Sequence, residues 1–237
     1  QWVDGSNGDR LDIINPATEE PIANIAYGTA EDARRALEAA QDALPGWQKM
    51  TAYDRARKLK RVAELMREKA DYLALALTME QGKPLAEARA ETMASADTFE
   101  WFAEEGKRAY GRMIPPSAPH KRLFTLRHPV GVCAAVSPWN FPLILQARKL
   151  APALAVGCTT VSRPASQTPL CLIRLFEIFE EVDLPPGVVN LVAGPAQPLM
   201  NEFMENRICR KISFTGSTEV GKELMRQASN QMKRLSL

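Results

Sequence analysis

The sequence holds 237 residues, enough for one large domain or two small ones. Hydrophobic residues make up 46% and charged residues 24%, the balance of a soluble globular protein. The 30 basic and 28 acidic side chains are interspersed and nearly cancel, which argues against nucleic acid as the main partner.

The N-terminus shows neither a Met nor a basic-then-apolar signal pattern, so a trimmed or processed start is expected. Trp2 to Ile25 alternates loosely and holds turn residues (Asp4-Gly5, Asn7-Gly8, Asn15-Pro16), which predicts short strands against a helical layer. Thr29 followed by Asp32 is a capping-box variant that opens a helix, and Pro45-Gly46 is expected to end it. Thr51 and Asp54 repeat the signal, and Leu59, Val62, Leu65 and Met66 follow at helical spacing. Gly82 and Pro84 punctuate before a further helix, Leu85 to about Lys107, whose T-F-E-W-F segment supplies an aromatic face. Tyr110 to Pro129 breaks the helical pattern and reads as a hairpin arm leaving the body, with an edge strand of the kind another subunit pairs.

From Val132 onward the pattern alternates. Apolar strands are predicted at Val132–Val136, Thr159–Ser162, Val188–Val192 and Lys211–Phe214. Helices are predicted at Pro142–Val156, Pro169–Glu181, Pro198–Glu205 and Thr218–Gln231, and Arg234 to Leu237 begins another strand. This order implies an α/β fold, a parallel sheet covered on both faces. No run spans a bilayer, because Leu143 to Val161 is cut by Gln146, Arg148 and Lys149. Cys133, Cys158, Cys171 and Cys209 form no C-x-x-C pair, and His120 and His128 are the only histidines, which argues against a zinc site. Cys133 and Cys158 read as reduced core thiols of a reducing, cytoplasmic-type compartment.

Three strand ends carry chemistry. S-F-T-G-S-T-E-V-G begins in a strand and opens a helix. Gly216 permits a tight turn, and Ser217 with the first free N–H groups could bind a phosphate oxygen. An ordinary strand-to-helix turn with a hydroxyl cap is the alternative. Arg163, before Pro164, Ala165 and Ser166, could grip a ribose or phosphate; a solvated surface Arg is the bland reading. Trp139-Asn140 sits in a turn stiffened by Pro138 and Pro142, where the Asn140 amide could stabilise an oxyanion or merely cap the next helix. Strand ends of this kind, side by side, build a nucleotide crevice.

Taken together, S-P-W-N-F-P, A-R-K-L-A-P-A-L-A-V-G-C, V-S-R-P-A-S-Q-T-P, L-P-P-G-V-V-N-L-V-A-G and I-S-F-T-G-S-T-E-V-G resemble the NAD(P)-dependent aldehyde dehydrogenase superfamily. N-P-A-T-E-E-P-I, E-Q-G-K-P-L and E-W-F-A-E-E-G-K-R-A-Y-G are similar to its succinate-semialdehyde branch. The resemblance covers essentially the whole chain. It implies a Rossmann-like doubly wound sheet with an N-terminal helical layer over residues 1–109, an oligomerisation arm over 110–130 and the NAD(P)-binding core over 131–237. It implies that Asn140 is the oxyanion amide, and that Ser137, Pro138 and Trp139 form the turn against which the cofactor lies. Arg163 stands where the family usually has a ribose-binding Lys, keeping the charge but not the geometry. Pro164 and Ala165 lead to Ser166, which stands where NAD-preferring members often carry Glu, so NADP is expected to be accepted and slightly favoured over NAD. Gly216 and Ser217 match the pyrophosphate turn, Gly194 the loop near the adenine, and Arg148 a position that holds a substrate's distal carboxylate from a tunnel wall. An ion pair across the surface of its own helix is the alternative for Arg148.

The resemblance also implies a thiolate nucleophile and a Glu base, neither of which any residue here matches. The chain is therefore expected to be the cofactor-binding half of a homo-oligomeric enzyme, inactive alone and without a metal. The intact parent would oxidise succinic semialdehyde to succinate, in the cytoplasm or, in a eukaryote, the mitochondrial matrix. Ketoglutaric semialdehyde is the rival substrate, and a non-catalytic dinucleotide-binding module the rival class.

Overall fold

A computed structural model describes residues 2–237. β1 (Arg10–Ile14) and β2 (Pro21–Ala26) pair antiparallel, and Ile13 is the one residue of β1 driven into the core. α1 (Ala30–Lys49) starts at the expected capping box, with the Thr29 N–H donating to Asp32 at 2.8 Å. It does not end at Pro45-Gly46 as the sequence suggests; the helix runs through both. The proline removes one backbone bond. Beyond it the fully buried Trp47 donates its indole N–H to the Leu154 carbonyl at 3.1 Å, which holds the last turn in place.

α2 (Ala52–Glu68) is capped by Thr51, whose hydroxyl accepts from the Asp54 N–H at 3.1 Å, and buries Leu59, Val62, Leu65 and Met66 as their spacing requires. α3 (Ala70–Gln81) stops at Gly82, which adopts φ 86°, a left-handed cap that favours glycine. α4 (Leu85–Glu105) follows. Of its aromatic segment, Phe99 enters the core edge-on to Phe179, whereas Trp101 stays exposed. β3 (Arg112–Ile114) and β4 (Leu123–Thr125) form the expected hairpin, a separate two-stranded ribbon with every strand residue exposed.

The remaining elements alternate. They are β5 (Val132–Val136), α5 (Pro142–Ala155), β6 (Thr159–Arg163), α6 (Leu170–Glu181), β7 (Val189–Leu191), α7 (Ala196–Glu205), β8 (Cys209–Phe214), α8 (Thr218–Ala228) and β9 (Arg234–Ser236). The five strands are parallel in the order β7-β6-β5-β8-β9. The chain winds outward from β5 through β6 to β7, then crosses back to β8. α5 and α6 therefore share one core with α2, α3 and α4, and α1, α7 and α8 share the other. β5 serves both: Ala135 faces the first core, while Val132, Ala134 and Val136 face the second. All four cysteines are buried and unpaired. Among the described residues, no helix is long and apolar enough to cross a membrane.

Three of the sheet's helices, α5, α6 and α7, have no side-chain cap of their own, and the helical layer caps two of them. Glu91 of α4 accepts from the Leu143 and Ile144 N–H groups of α5 at 3.0 and 3.2 Å. Glu80 of α3 accepts from Leu170 and Cys171 of α6 at 2.5 and 2.9 Å. Burial, only partly offset by these bonds, pushes the Glu80 carboxyl from 4.5 up to about 7. The folded chain thus holds this proton where the unfolded chain has released it. Stability falls as pH rises from about 4.5 to about 7, by ~3 kcal/mol in all from this group. Glu80→Gln, which keeps an acceptor but cannot ionise, is expected to flatten that fall. Urea midpoints recorded across the window for both proteins check it, and identical slopes would refute the assignment.

Candidate cofactor and substrate site

Val136 ends β5 in register with Arg163 of β6 on one side and Phe214 of β8 on the other. Three chain segments thus leave the sheet at one level. The β5–β8 gap is where the winding reverses, and helices on opposite faces open a crevice there.

On the β8 side, the Thr215 N–H donates to the Val136 carbonyl at 3.1 Å and stitches the two turns together. A Cβ on Gly216 would lie 2.3 Å from the Phe214 ring, so any larger residue there requires that ring to move. Ser217 caps α8 by accepting from the Val220 N–H at 3.3 Å. The N–H groups of Thr218 and Glu219 then have no intrahelical acceptor, a ready anion site. Lys149 lies beneath this turn and donates to the Thr215 hydroxyl at 2.6 Å. Burial first, and the neighbouring Arg148 second, bring its pKa down to about 8.

A groove of about 880 Å³ gathers Pro138, Trp139, Asn140, Arg148, Gly216 and Ser217. Asn140 is exposed to it and its amide has no partner among the described residues. It does not cap α5; Glu91 does, so that alternative is not realised. Arg148 is exposed in this chain, because α5 turns Leu143, Ala147, Leu150 and Leu154 toward the core and leaves Arg148 on the groove side. It makes no ion pair among the described residues, so the alternative of a pair along its helix is not realised either.

The residues at the end of β6 do not line this groove but form a separate cluster at the same sheet edge. Arg163 is not a solvated surface residue but is 9% exposed. Its guanidinium donates to the Gly194 carbonyl at 3.1 Å and the Ser166 hydroxyl at 3.3 Å, and burial pulls its pKa down. Pro164 and Ala165 are buried behind it, and Ser166 is half-buried. Sequence reasoning missed Tyr27 and Gly28. The Tyr27 hydroxyl lies 3.3 Å from Ser166 Oγ, and the Gly28 N–H donates to the Ala193 carbonyl at 2.7 Å. Nothing in the sequence connects Tyr27 with Ser166, since the two are 139 positions apart. It also missed Lys83 and Glu91; Gly82 and Pro84, which flank Lys83, marked only the break between helices.

A dinucleotide fits these residues. Ser137 Oγ and Arg163 Nε are buried polar atoms without partners, one on each side of Val136. The α8 N-terminus supplies free donors for phosphate, and Gly216 keeps the backbone bare there. A second cavity of about 630 Å³, bounded by Trp2, Phe176, Phe179 and Leu191, holds none of the expected site residues.

A doubly wound parallel sheet with its crevice at the winding reversal defines the Rossmann-like class of α/β proteins. Residues 2–237 match the aldehyde dehydrogenase family, and the chain belongs to it. It is 49% identical to the glutarate-semialdehyde dehydrogenase of Pseudomonas putida strain KT2440, over all of this chain and 49% of that protein. It is 46% identical to the NADP(+) succinate-semialdehyde dehydrogenase of Escherichia coli K12, again over all of this chain and 49% of the relative. The crystal structure of an NADP-dependent enzyme from E. coli superposes with a TM-score of 0.99 at 46% identity, covering all of this chain and 49% of that one. The chain thus spans about half the length of the curated relatives it matches.

Two glycines test the packing of the Arg163 cluster. A Cβ on Gly194 would lie 2.5 Å from the Gly28 carbonyl oxygen, whereas one on Gly46 meets nothing within 4 Å. Gly194→Ala is expected to cost ~1–3 kcal/mol through overpacking. Gly46→Ala, in a helix, should be neutral or stabilise by up to ~1 kcal/mol. Chemical denaturation of both variants decides, and equal effects would mean the Gly28–Gly194 contact is not tight.

Proposed function

We propose that the intact protein oxidises an aldehyde carrying a distal carboxylate, succinic semialdehyde first among them, with NADP preferred over NAD. One observation carries this reading: the free amide of Asn140, the free guanidinium of Arg148 and the turn Gly216–Ser217 line a single groove. Asn140 donates to the aldehyde oxygen as negative charge grows on it, an interaction worth several kcal/mol when preorganised. Arg148 pairs with the far carboxylate and fixes which end of the substrate enters first. Ser217 and the α8 N-terminus hold the pyrophosphate, and Ser137, Pro138 and Trp139 form the surface on which the rest of the cofactor rests. When bound, the nicotinamide supplies the hydride acceptor. The reading assigns the nucleophile and the base to the half of the protein outside this sequence. It also reads β3–β4, with Met113, Phe124 and Leu126 exposed, as an arm that another subunit covers in a homo-oligomer.

The relatives' names support a distal carboxylate, since succinate and glutarate semialdehydes both carry one. Glutaric semialdehyde, one methylene longer, is the second reading, favoured by the P. putida relative. The cofactor preference rests on Ser166 and Arg163. A 2′-phosphate near them meets a guanidinium and no carboxylate. A Glu at 166 would repel it by about 4 kcal/mol at roughly 4 Å and an effective dielectric near ~20.

Two experiments on the intact enzyme test this. Arg148→Leu is expected to raise KM for succinic semialdehyde at least tenfold while sparing propanal; the same loss on both aldehydes would remove Arg148 from specificity. Ser166→Glu is expected to turn a preference for NADP into one for NAD in fluorescence titrations. Equal affinities before the substitution, or no reversal after it, would contradict the cofactor assignment.

A further inference from the structure

We infer that Lys83 and Glu91 are positioning residues for Asn140: a buried ion pair reaching from the helical layer sets the orientation of the oxyanion amide. The inference rests on the role proposed for Asn140 above.

The turn that presents Asn140 has little to hold it from within. Phe141, the residue before α5, makes no side-chain cap, and Pro142 at the first helical position donates no N–H. The restraint comes from outside. Lys83 donates to Glu91 Oε2 at 2.5 Å and to the Asn140 main-chain carbonyl at 2.9 Å, and its Nζ lies 4.1 Å from the centre of the Phe141 ring. The other oxygen of Glu91 accepts from the Leu143 and Ile144 N–H groups. One ion pair therefore grips the turn on both sides, at Asn140 and at the first turn of α5. The two side chains are 6% and 2% exposed, so water does not compete for these bonds.

The local sequence restricts the Lys83 backbone. Gly82 takes the left-handed conformation that ends α3, and a Cβ on it would stand 2.9 Å from the Pro16 ring. Pro84 fixes the entry to α4. Pro84 confines the Lys83 backbone to an extended conformation, and the buried partners Glu91 and the Asn140 carbonyl fix where its side chain goes. With its carbonyl drawn toward Lys83, Asn140 turns its side chain out into the groove. An oxyanion donor must be aimed before the charge develops, because reorganisation at that moment forfeits the advantage.

A double-mutant cycle in the intact enzyme tests the link. The readout is the single-turnover rate of NADPH formation at saturating succinic semialdehyde and NADP. Lys83→Met is expected to slow it at least tenfold when Asn140 is present. In the Asn140→Ala background the same change should cost less than twofold, since nothing is left to aim. NADPH affinity should stay within twofold throughout. An equal loss in both backgrounds would overturn the inference and reduce Lys83 to a structural residue. If Asn140→Ala alone leaves the rate unchanged, the role of Asn140 falls, and this inference with it. Should Lys83→Met fail to fold, Lys83→Gln, which keeps a donor for Glu91 but falls short of Asn140, runs the same cycle with the same readings.

Discussion

Helices that follow parallel strands all arrive with their N-termini at the same edge of the sheet, and each brings backbone N–H groups in need of acceptors. How those donors are satisfied divides this edge into closed and open ends. α5 and α6 receive carboxyl groups from a neighbouring layer, Glu91 and Glu80. α8 is capped only by its own Ser217, which satisfies one donor and leaves others facing the crevice. Glu91 brings a carboxylate to α5 and Glu80, which holds its proton up to about pH 7, brings acceptor oxygens to α6, whereas α8 retains its attraction for an anion. The N-terminal helical layer is thus more than packing for one face. It supplies acceptors to the ends of α5 and α6 and leaves α8 to its own Ser217.

The β6 side solves a different problem. A guanidinium taken out of water needs acceptors, and Arg163 finds a carbonyl at Gly194 and a hydroxyl at Ser166, with Nε left over. Its lowered pKa records the cost of that burial. The charge persists because arginine does not lose its proton at ordinary pH. Gly194 and Gly28 pack so closely that the β2–α1 connection becomes part of the same cluster. A cationic centre with an unspent donor, fixed by a loop on one side and a hairpin exit on the other, is a preorganised surface and not a flexible arm waiting for its ligand.

Much of this was legible in the sequence, because the sheet and its helices obey local rules. Continuous apolar runs gave the strands, and spacing with hydroxyl caps gave most helices. The strand-end polar residues fell at the crevice because parallel order forces strand ends to one edge. The proline rule failed at Pro45, where a tertiary contact through Trp47 outweighed a missing backbone bond. The helix phase puts Arg148 on the groove side, as its place between the core positions Ala147 and Leu150 requires. Lys83, Glu91, Glu80 and Tyr27 were invisible for a shared reason. Each acts on a backbone or side-chain group far along the chain, and no local pattern encodes such a partner.

That distance has a consequence for how the molecule assembles. The Ala40 carbonyl waits for the Thr159 hydroxyl, Trp47 for Leu154, Arg55 for Ala155 and Glu80 for Cys171, separations of 119, 107, 100 and 91 residues. Helices made early in synthesis cannot bury their inner faces until strands made much later arrive. High contact order of this kind lengthens the search for the native state and leaves apolar helix faces uncovered meanwhile. Until β5 and β6 are made, the inner faces of α1 to α4 lack the partners that bury them.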